Sequence, residues 1–324
     1  MTHTLSISVV IPTYNRAESL RDTLLGLKQQ DLRAGISRFE AIVVDNNSTD
    51  ATKKVVEEMQ KDFSHALHYV FEPGQGISYA RNSGVRRAQG KYIAFLDDDV
   101  IPETNWLSSL WNCFKEEEAD VIGGKIELLW LSEKPDWLSE KLMKPLISAD
   151  YGEKRFQVDS KGKRFVGANF ACRRDLFNRV GLFREELGRR GDSLIGGEDF
   201  EWFDRARRGN ARIFYEPKAK VLHKVWGEKV TEEYILRWFL DIGRTHGHLM
   251  EWKWHHGITI LPAWCWGKTC RALLHQTFSE LFNGDKTRSL EAKTEKLFYQ
   301  GLLEERSSHW RSKLFQKSLS CHFV

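Results

Sequence analysis

Two acidic clusters in this chain have residue types and settings that suit chemistry. Gly90-Lys91-Tyr92-Ile93-Ala94-Phe95-Leu96 is an apolar, β-favouring run that ends in Asp97-Asp98-Asp99, with Val100-Ile101-Pro102 behind it. The run reads as a strand buried on both faces, and Pro102 is expected to stop its pairing. Three adjacent carboxylates at the end of a buried strand repel one another and resist desolvation unless a cation sits among them. Hard oxygen ligands suit Mg²⁺ or Mn²⁺, ions that usually arrive with substrate phosphates in their shell. The rival reading is a polar turn that only caps the next element. The second cluster is Gly196-Gly197-Glu198-Asp199-Phe200-Glu201-Trp202. Its glycines allow close backbone approach, and its two carboxylates open a helix expected over residues 199–208. A helix N-terminus favours the anionic form, which suits a general base better than an acid.

The elements that must position these clusters are legible. Ile7-Ser8-Val9-Val10-Ile11 is a short β-branched strand that Pro12 is expected to end. Asn15 stands as a candidate helix cap three residues before Glu18, with Leu20, Leu24 and Leu27 at helical spacing beyond. Phe39 to Val44 is a second strand, running into Asp45-Asn46-Asn47-Ser48-Thr49-Asp50. A helix with Val55, Val56, Met59 and Phe63 on one face comes next, then a strand at His68 to Phe71 and a helix from Ile77. Strand and helix alternate four times, the pattern of a doubly wound parallel sheet, whose ligands bind beyond the carboxyl ends of the strands. Three of the four strands end in polar clusters, at Thr13-Tyr14-Asn15, Asp45-Asn46-Asn47 and Asp97-Asp98-Asp99. One rim thereby gathers an aromatic ring, amide and carboxylate acceptors and a candidate metal site, which suits a nucleoside diphosphate. Further strands are expected over 119–128, 165–174 and 212–215, with an irregular stretch over 130–164.

Composition narrows the classes. At 324 residues, 41% apolar and 29% charged, the chain is ordinary for a globular protein with a large core. A net charge of +4, from 49 basic and 45 acidic residues, gives no reason to expect nucleic acid as the partner. Five cysteines without a tight pair fit a reducing compartment. Residues 1–8 lack the pattern of a signal peptide, and the apolar run Ile258 to Trp266 is too short to span a bilayer. With no Gly-x-Gly-x-x-Gly and no lysine-bearing phosphate loop after the first strand, a dinucleotide cofactor and an ATPase are disfavoured.

Pro12-Thr13-Tyr14-Asn15-Arg16, Val43-Val44-Asp45-Asn46-Asn47-Ser48-Thr49-Asp50, the Gly76 to Gly90 segment with Ala80-Arg81-Asn82, and the Asp triplet together resemble the family 2 glycosyltransferases of GT-A fold. The resemblance covers roughly residues 5–225 and implies an α/β fold with one large Rossmann-like nucleotide-binding sheet, helices on both faces, and a C-terminal helical extension. It implies a catalytic domain over 1–228, with a nucleotide-binding half at 1–104 and an acceptor half at 105–228, and an extension at 229–324. By the same resemblance Asp45 accepts from a pyrimidine N–H, and Thr13, Tyr14 and Arg16 line the nucleoside pocket. Pro12, Asn15, Asn47 and Asp98 belong to the same nucleotide-facing set. Arg81 approaches the sugar or diphosphate, Asp97 the ribose, donor sugar or metal, and Asn169 the sugar. Asp99 is the main metal ligand, with His223 completing the metal or diphosphate site. The base falls in the Glu198-Asp199 pair, with Asp199 favoured. Inverting transfer from a UDP- or dTDP-sugar to a glycan or lipid-linked acceptor, with Mn²⁺ or Mg²⁺, is the implied activity. One base and one cation suffice for it.

The rivals are a sugar-nucleotide nucleotidyltransferase and a non-catalytic nucleotide- or sugar-binding protein. The first wants a glycine-rich, basic triphosphate loop that Pro12-Thr13-Tyr14-Asn15 does not supply. After Trp226 the chain turns rich in tryptophan, histidine and basic residues. That tail either caps the catalytic unit or lies in a membrane interface, and residues 252–282 favour the interface. The expected location is cytoplasmic, peripheral at the inner membrane face. His255, His256, Cys265, Cys270 and His275 match no common zinc spacing.

Overall fold

A computed structural model describes residues 6–32, 36, 38–158, 165–191, 193–249, 263–282 and 285–320. The chain divides into two compact units. The first comprises Met1–Leu131, Ile147–Gly191 and Glu198–Val225, and the second Ser132–Leu146, Asp192–Gly197 and Trp226–Val324.

The first unit is built on one mixed sheet. β1 (Ile7–Thr13), β2 (Phe39–Asp45) and β4 (Tyr92–Leu96) are buried along their whole lengths, as apolar strands covered on both faces must be. They pair in parallel with β3 (Ala66–Phe71) in the order β3-β2-β1-β4. Helices α1 (Ala17–Lys28), α2 (Thr52–Gln60) and α3 (Ile77–Arg87) make the crossovers. β8 (Asn169–Arg173) then pairs antiparallel with β4, followed by β6 (Val121–Trp130), β9 (Ile213–Val225) and β5 (Val100–Pro102), while β7 (Phe156–Gln157) pairs with β9. The chain therefore leaves the sheet at Leu96 and re-enters it at Val100, opposite His223. Asp97, Asp98 and Asp99 make the link between β4 and β5.

Two local expectations are corrected. Pro12 does not end β1: it pairs in register with Val44. The β1–β4 pairing already stops at Val10, so the missing N–H interrupts nothing there. Pro102, as expected, is the last paired residue of β5, opposite Val221. Asn15 does not cap α1; it sits at φ 51° and its side chain accepts from the N–H of Thr49. The carboxylate that meets the free N–H of Ala17 is Asp50, at 2.9 Å.

An aromatic cluster fixes the helix that carries the second acidic pair. Phe95 of β4 stacks on Phe170 of β8 with ring centroids 4.6 Å apart. Phe177 of α5 (Leu176–Val180), Phe183, Trp202 and Phe203 close around them. In α6 (Glu198–Arg208) the buried residues Asp199, Trp202, Phe203 and Ala206 keep the i, i+3, i+4, i+7 spacing of one helix face. Asp199 thus continues a buried stripe. α4 (Trp106–Glu116) covers another part of the sheet with Trp106, Leu107, Leu110 and Phe114.

In the second unit α7 (Glu232–Leu249) packs closely on α9 (Lys286–Ser320). A Cβ on Gly243 would come within 2.1 Å of the Phe298 carbonyl oxygen, and one on Gly301 within 2.0 Å of the Leu240 carbonyl oxygen. Asp241 and Thr245 of α7 accept from the backbone N–H groups of Leu194 and Gly196, at 3.2 and 3.1 Å. α8 (Ala263–Phe282) precedes α9. No helix among the described residues is long and apolar enough to cross a membrane.

Candidate active site

The acidic link between β4 and β5 is anchored from three sides. Thr13, at the end of β1, donates its hydroxyl to Asp98 at 2.7 Å, and Ser19 of α1 donates to the Asp98 carbonyl at 2.8 Å. Asp98 is buried, and burial pushes its carboxyl up to about 7, with Asp99 and Asp97 adding to the effect and Arg16 and the Thr13 hydroxyl opposing it. It ties strand to helix and faces inward. Asp99 accepts from the Arg16 guanidinium at 2.6 Å and lies 3.4 Å from His223 Nε2. Burial alone would lower the Arg16 pKa, but Asp98, Asp99 and Asp97 hold it above its ordinary value.

Arg81 joins this corner to the second acidic cluster. On α3 the residues Ser78, Arg81, Asn82 and Val85 share one buried face, so helical periodicity sends the guanidinium inward. Its Nη1 donates to Glu198 at 2.5 Å and its Nη2 to Asp97 at 3.2 Å. One side chain, 1% exposed, therefore links Asp97 to Glu198, the latter 117 residues from Arg81 in sequence. Backbone shape permits it, because a Cβ on Gly167 would stand 2.0 Å from Arg81 Nη2. Ser78 and Asn82 hold the adjoining 183–187 segment, through Leu187 O at 2.8 Å and Phe183 O at 2.9 Å.

Asp199 is buried beside this pair and makes no ion pair among the described residues. Its carboxylate accepts from the N–H of Gly167 at 2.8 Å and of Phe200 at 2.7 Å. Burial pushes it up to about 7, and Glu198 adds to the rise, while Arg81 and the two N–H groups pull the other way. The helix terminus alone would predict a low value; desolvation outweighs it. A carboxylate that titrates near neutrality is better matched to accept a hydroxyl proton than one that titrates near 4.

On the nucleotide side, buried Asp45 accepts from the Tyr69 hydroxyl at 2.7 Å and from the N–H of Ser48 at 2.9 Å. Tyr14, Asn15 and Asn47 are exposed around it, and Asn47 has φ 67°. Pro12 is buried in β1. Sequence reasoning gave no role to Asn46, whose amide donates to Gly74 O at 2.6 Å and accepts from the Gly76 N–H at 2.7 Å. It fixes the loop ahead of α3. It also missed the Tyr69 hydroxyl, which no local pattern marks. Asn169 is corrected. Its amide donates to the carbonyls of Lys125 and Ala219, both at 2.9 Å, and accepts from Trp106 Nε1 at 2.8 Å. At 1% exposure it ties β8 to its neighbours, with both amide hydrogens given to backbone carbonyls.

His223 stands inside β9 rather than after a strand ending at Tyr215. Its Nδ1 lies 3.2 Å from the Ile147 carbonyl oxygen, so that nitrogen carries the proton. Its Nε2 faces a carboxylate oxygen of Asp99 at 3.4 Å. A histidine oriented by a backbone carbonyl and aimed at a carboxylate is a fitting donor set for a divalent cation. Among the described residues no group of three or more His, Cys, Asp or Glu forms a full metal cage. Few protein ligands are what Mg²⁺-like ions take when phosphates complete the shell.

Comparison with known proteins agrees with this architecture. Residues 8–181 match the family model for glycosyl transferase family 2. Glycosyltransferase AglE of Haloferax volcanii is 30% identical over 257 residues, which cover 74% of this chain and 77% of the relative. The GalNAc(5)-diNAcBac-PP-undecaprenol beta-1,3-glucosyltransferase of Campylobacter jejuni is 35% identical over 68% of this chain and 65% of its own. The fold is similar to that of the mannosyltransferase PcManGT from Pyrobaculum calidifontis, solved with GDP-Man and Mn²⁺. The TM-score is 0.54 at 16% identity, covering 99% of this chain and 82% of that one. The chain belongs to glycosyl transferase family 2 and is a glycosyltransferase of GT-A fold.

Proposed function

We propose that the enzyme moves a sugar, with inversion, from a nucleoside-diphosphate sugar to a hydroxyl of a glycan or lipid-linked acceptor. The observation that carries this is the Arg81 guanidinium between Asp97 and Glu198, which keeps the two acidic motifs within one side chain of each other. The nucleoside lies along the rim of Thr13, Tyr14, Asn15, Arg16, Asp45 and Asn47. Asp99 and His223, with Asp97 beside them, would hold Mn²⁺ or Mg²⁺, which neutralises the departing diphosphate when bound. Asp199 takes the proton of the acceptor hydroxyl as its oxygen attacks the anomeric carbon opposite the diphosphate. A single displacement of that kind inverts the centre. Arg81 holds Glu198 aside and keeps Asp97 in place.

The lipid-linked acceptor is supported by the Campylobacter relative. A peripheral contact with the inner face of the membrane is supported by α8, where Leu273 and Leu274 are 44% and 72% exposed near exposed Lys268 and Arg271. The remainder of that expected segment, residues 252–262, lies outside the described residues. The test is to screen the full chain with nucleotide sugars, Mn²⁺ and saccharide or polyprenyl-diphosphate-linked acceptors. Product mass and anomeric configuration are read by mass spectrometry and NMR. An inverted product, and loss of metal-dependent nucleotide binding in Asp99→Ala, are expected. A retained configuration, or full metal-dependent binding in that variant, would overturn the reading.

A further inference from the structure

The backbone that leads into Glu198 and Asp199 is held by a stripe of side chains on α7. Asp241, Thr245 and Leu249 stand at i, i+4 and i+8 along that helix, so its periodicity sets them on one face. Asp241 and Thr245 are both buried. Asp241 accepts from the N–H of Leu194 at 3.2 Å, and the Thr245 hydroxyl from the N–H of Gly196 at 3.1 Å. Four residues of helix advance about 6 Å, and two residues of chain reach at most about 7 Å. Alternate N–H groups of the segment therefore meet successive turns of α7. Both acceptors are fixed in their turn. The Thr245 hydroxyl donates to the Asp241 carbonyl at 3.0 Å, which leaves its oxygen to accept from Gly196. The second Asp241 oxygen accepts from Arg244 at 2.8 Å, and Arg244 donates to Glu304 of α9 at 2.7 Å. Gly197 closes the segment at φ 95°, a conformation that suits glycine. A Cβ there would stand 2.6 Å from Thr245 Cγ2 and 2.9 Å from Leu249 Cδ1.

The clasped segment belongs to the second unit, and the chain passes into the first at Glu198. From Trp202 onward α6 is fixed by the aromatic cluster. Its first turn, which carries Asp199, instead takes its direction from residues 194–197. We propose that Asp241 and Thr245 are positioning residues for the transfer reaction: by holding Leu194 and Gly196 they set the first turn of α6, and with it the Asp199 carboxylate, against the acceptor hydroxyl. The inference rests on the reading of Asp199 as the base and deepens it by giving the C-terminal helices a part in the chemistry. A reacting group misplaced by about 1 Å can cost on the order of 10²-fold in rate. Thr13, Arg16, Asp45, Asp99 and His223 stand on other elements, so the donor should bind as before when the clasp is opened.

The experiment compares the full chain with Thr245→Val, Thr245→Ser, Asp199→Asn and the double variant Thr245→Val with Asp199→Asn. Turnover is measured with the nucleotide sugar and acceptor identified by the screen above, and binding by calorimetric titration of the matching nucleoside diphosphate in Mn²⁺. Valine keeps the shape of threonine and removes the hydroxyl, and melting curves confirm folding. Thr245→Val should lower kcat by roughly tenfold or more with nucleotide affinity within about twofold of wild type, and Thr245→Ser should keep kcat within about threefold. A residue that acts only through the base adds little once the base is gone, so the double variant should lose less than about threefold on Asp199→Asn. A kcat within threefold of wild type in Thr245→Val, equal loss of binding and turnover, no rescue by serine, or a larger loss in the double variant overturns the inference. Should Thr245→Val not fold, Asp241→Asn, which leaves one oxygen to serve two donors, is read in its place. A kcat at least threefold lower at unchanged nucleotide affinity is then expected, and an unchanged kcat overturns the inference. Wild-type turnover in Asp199→Asn overturns the base reading itself, and this inference with it.

Discussion

Replacing Arg81 by methionine removes the charge and keeps most of the volume of a side chain that is 1% exposed. Its partner Glu198 has a side chain only 8% exposed and no second ion pair among the described residues. Breaking a buried pair by deleting one member costs about 3–5 kcal/mol, because the remaining charge stays desolvated. Arg81→Met should therefore lose roughly 3 kcal/mol of unfolding free energy at neutral pH. Arg81→Met with Glu198→Gln should recover part of it, since the double variant leaves no unpaired charge at position 198, with a coupling of about 1–3 kcal/mol. Urea unfolding of the wild type, both singles and the double measures it. A coupling below about 0.5 kcal/mol, the usual scatter of independent sites, would show that the bridge between the acidic motifs does not hold in solution.

Other outcomes come from the same geometry. Gly167→Ala places a methyl where Arg81 Nη2 lies, 2.0 Å away, and should cost about 1–3 kcal/mol of stability in denaturant titration. Trp202→Ala empties the centre of the aromatic cluster, where the indole is fully buried, and should cost about 3–5 kcal/mol by the same measurement. Asp199 in the folded chain is raised from 3.8 to about 7, so its contribution to stability is intact below pH 3.8 and is lost as pH rises through 7. Asp199→Asn should then gain on the wild type between pH 4 and pH 8 by on the order of a few kcal/mol, read from melting curves across pH.

The parallel half of the sheet was readable because β1, β2 and β4 are predominantly apolar, β-favouring runs, each closed by polar residues that the topology sets on one rim. The helix of the second acidic pair was readable because Asp199, Trp202, Phe203 and Ala206 keep helical spacing. What escaped depended on partners distant in sequence. Pro12 read as a strand end because nothing local tells which edge of a strand lacks a partner. The α1 cap comes from Asp50, 33 residues beyond Ala17, so the nearer Asn15 looked the natural choice. Asn169 looked like a ligand contact because a buried amide and a sugar-binding amide have the same sequence appearance. Only its three protein partners separate them. The resemblance carried Arg81 toward the donor, whereas its role as a tether depends on Glu198, 117 residues away.

The most direct test of the account is to compare donor binding and sugar transfer in Asp199→Asn, using the preferred nucleotide sugar and Mn²⁺. Removing a positioned general base while leaving the nucleotide rim intact should leave donor affinity within about threefold of wild type and lower turnover by about 10²–10⁴. Turnover near the wild-type rate would contradict it, as would equal loss of binding and turnover in a folded variant.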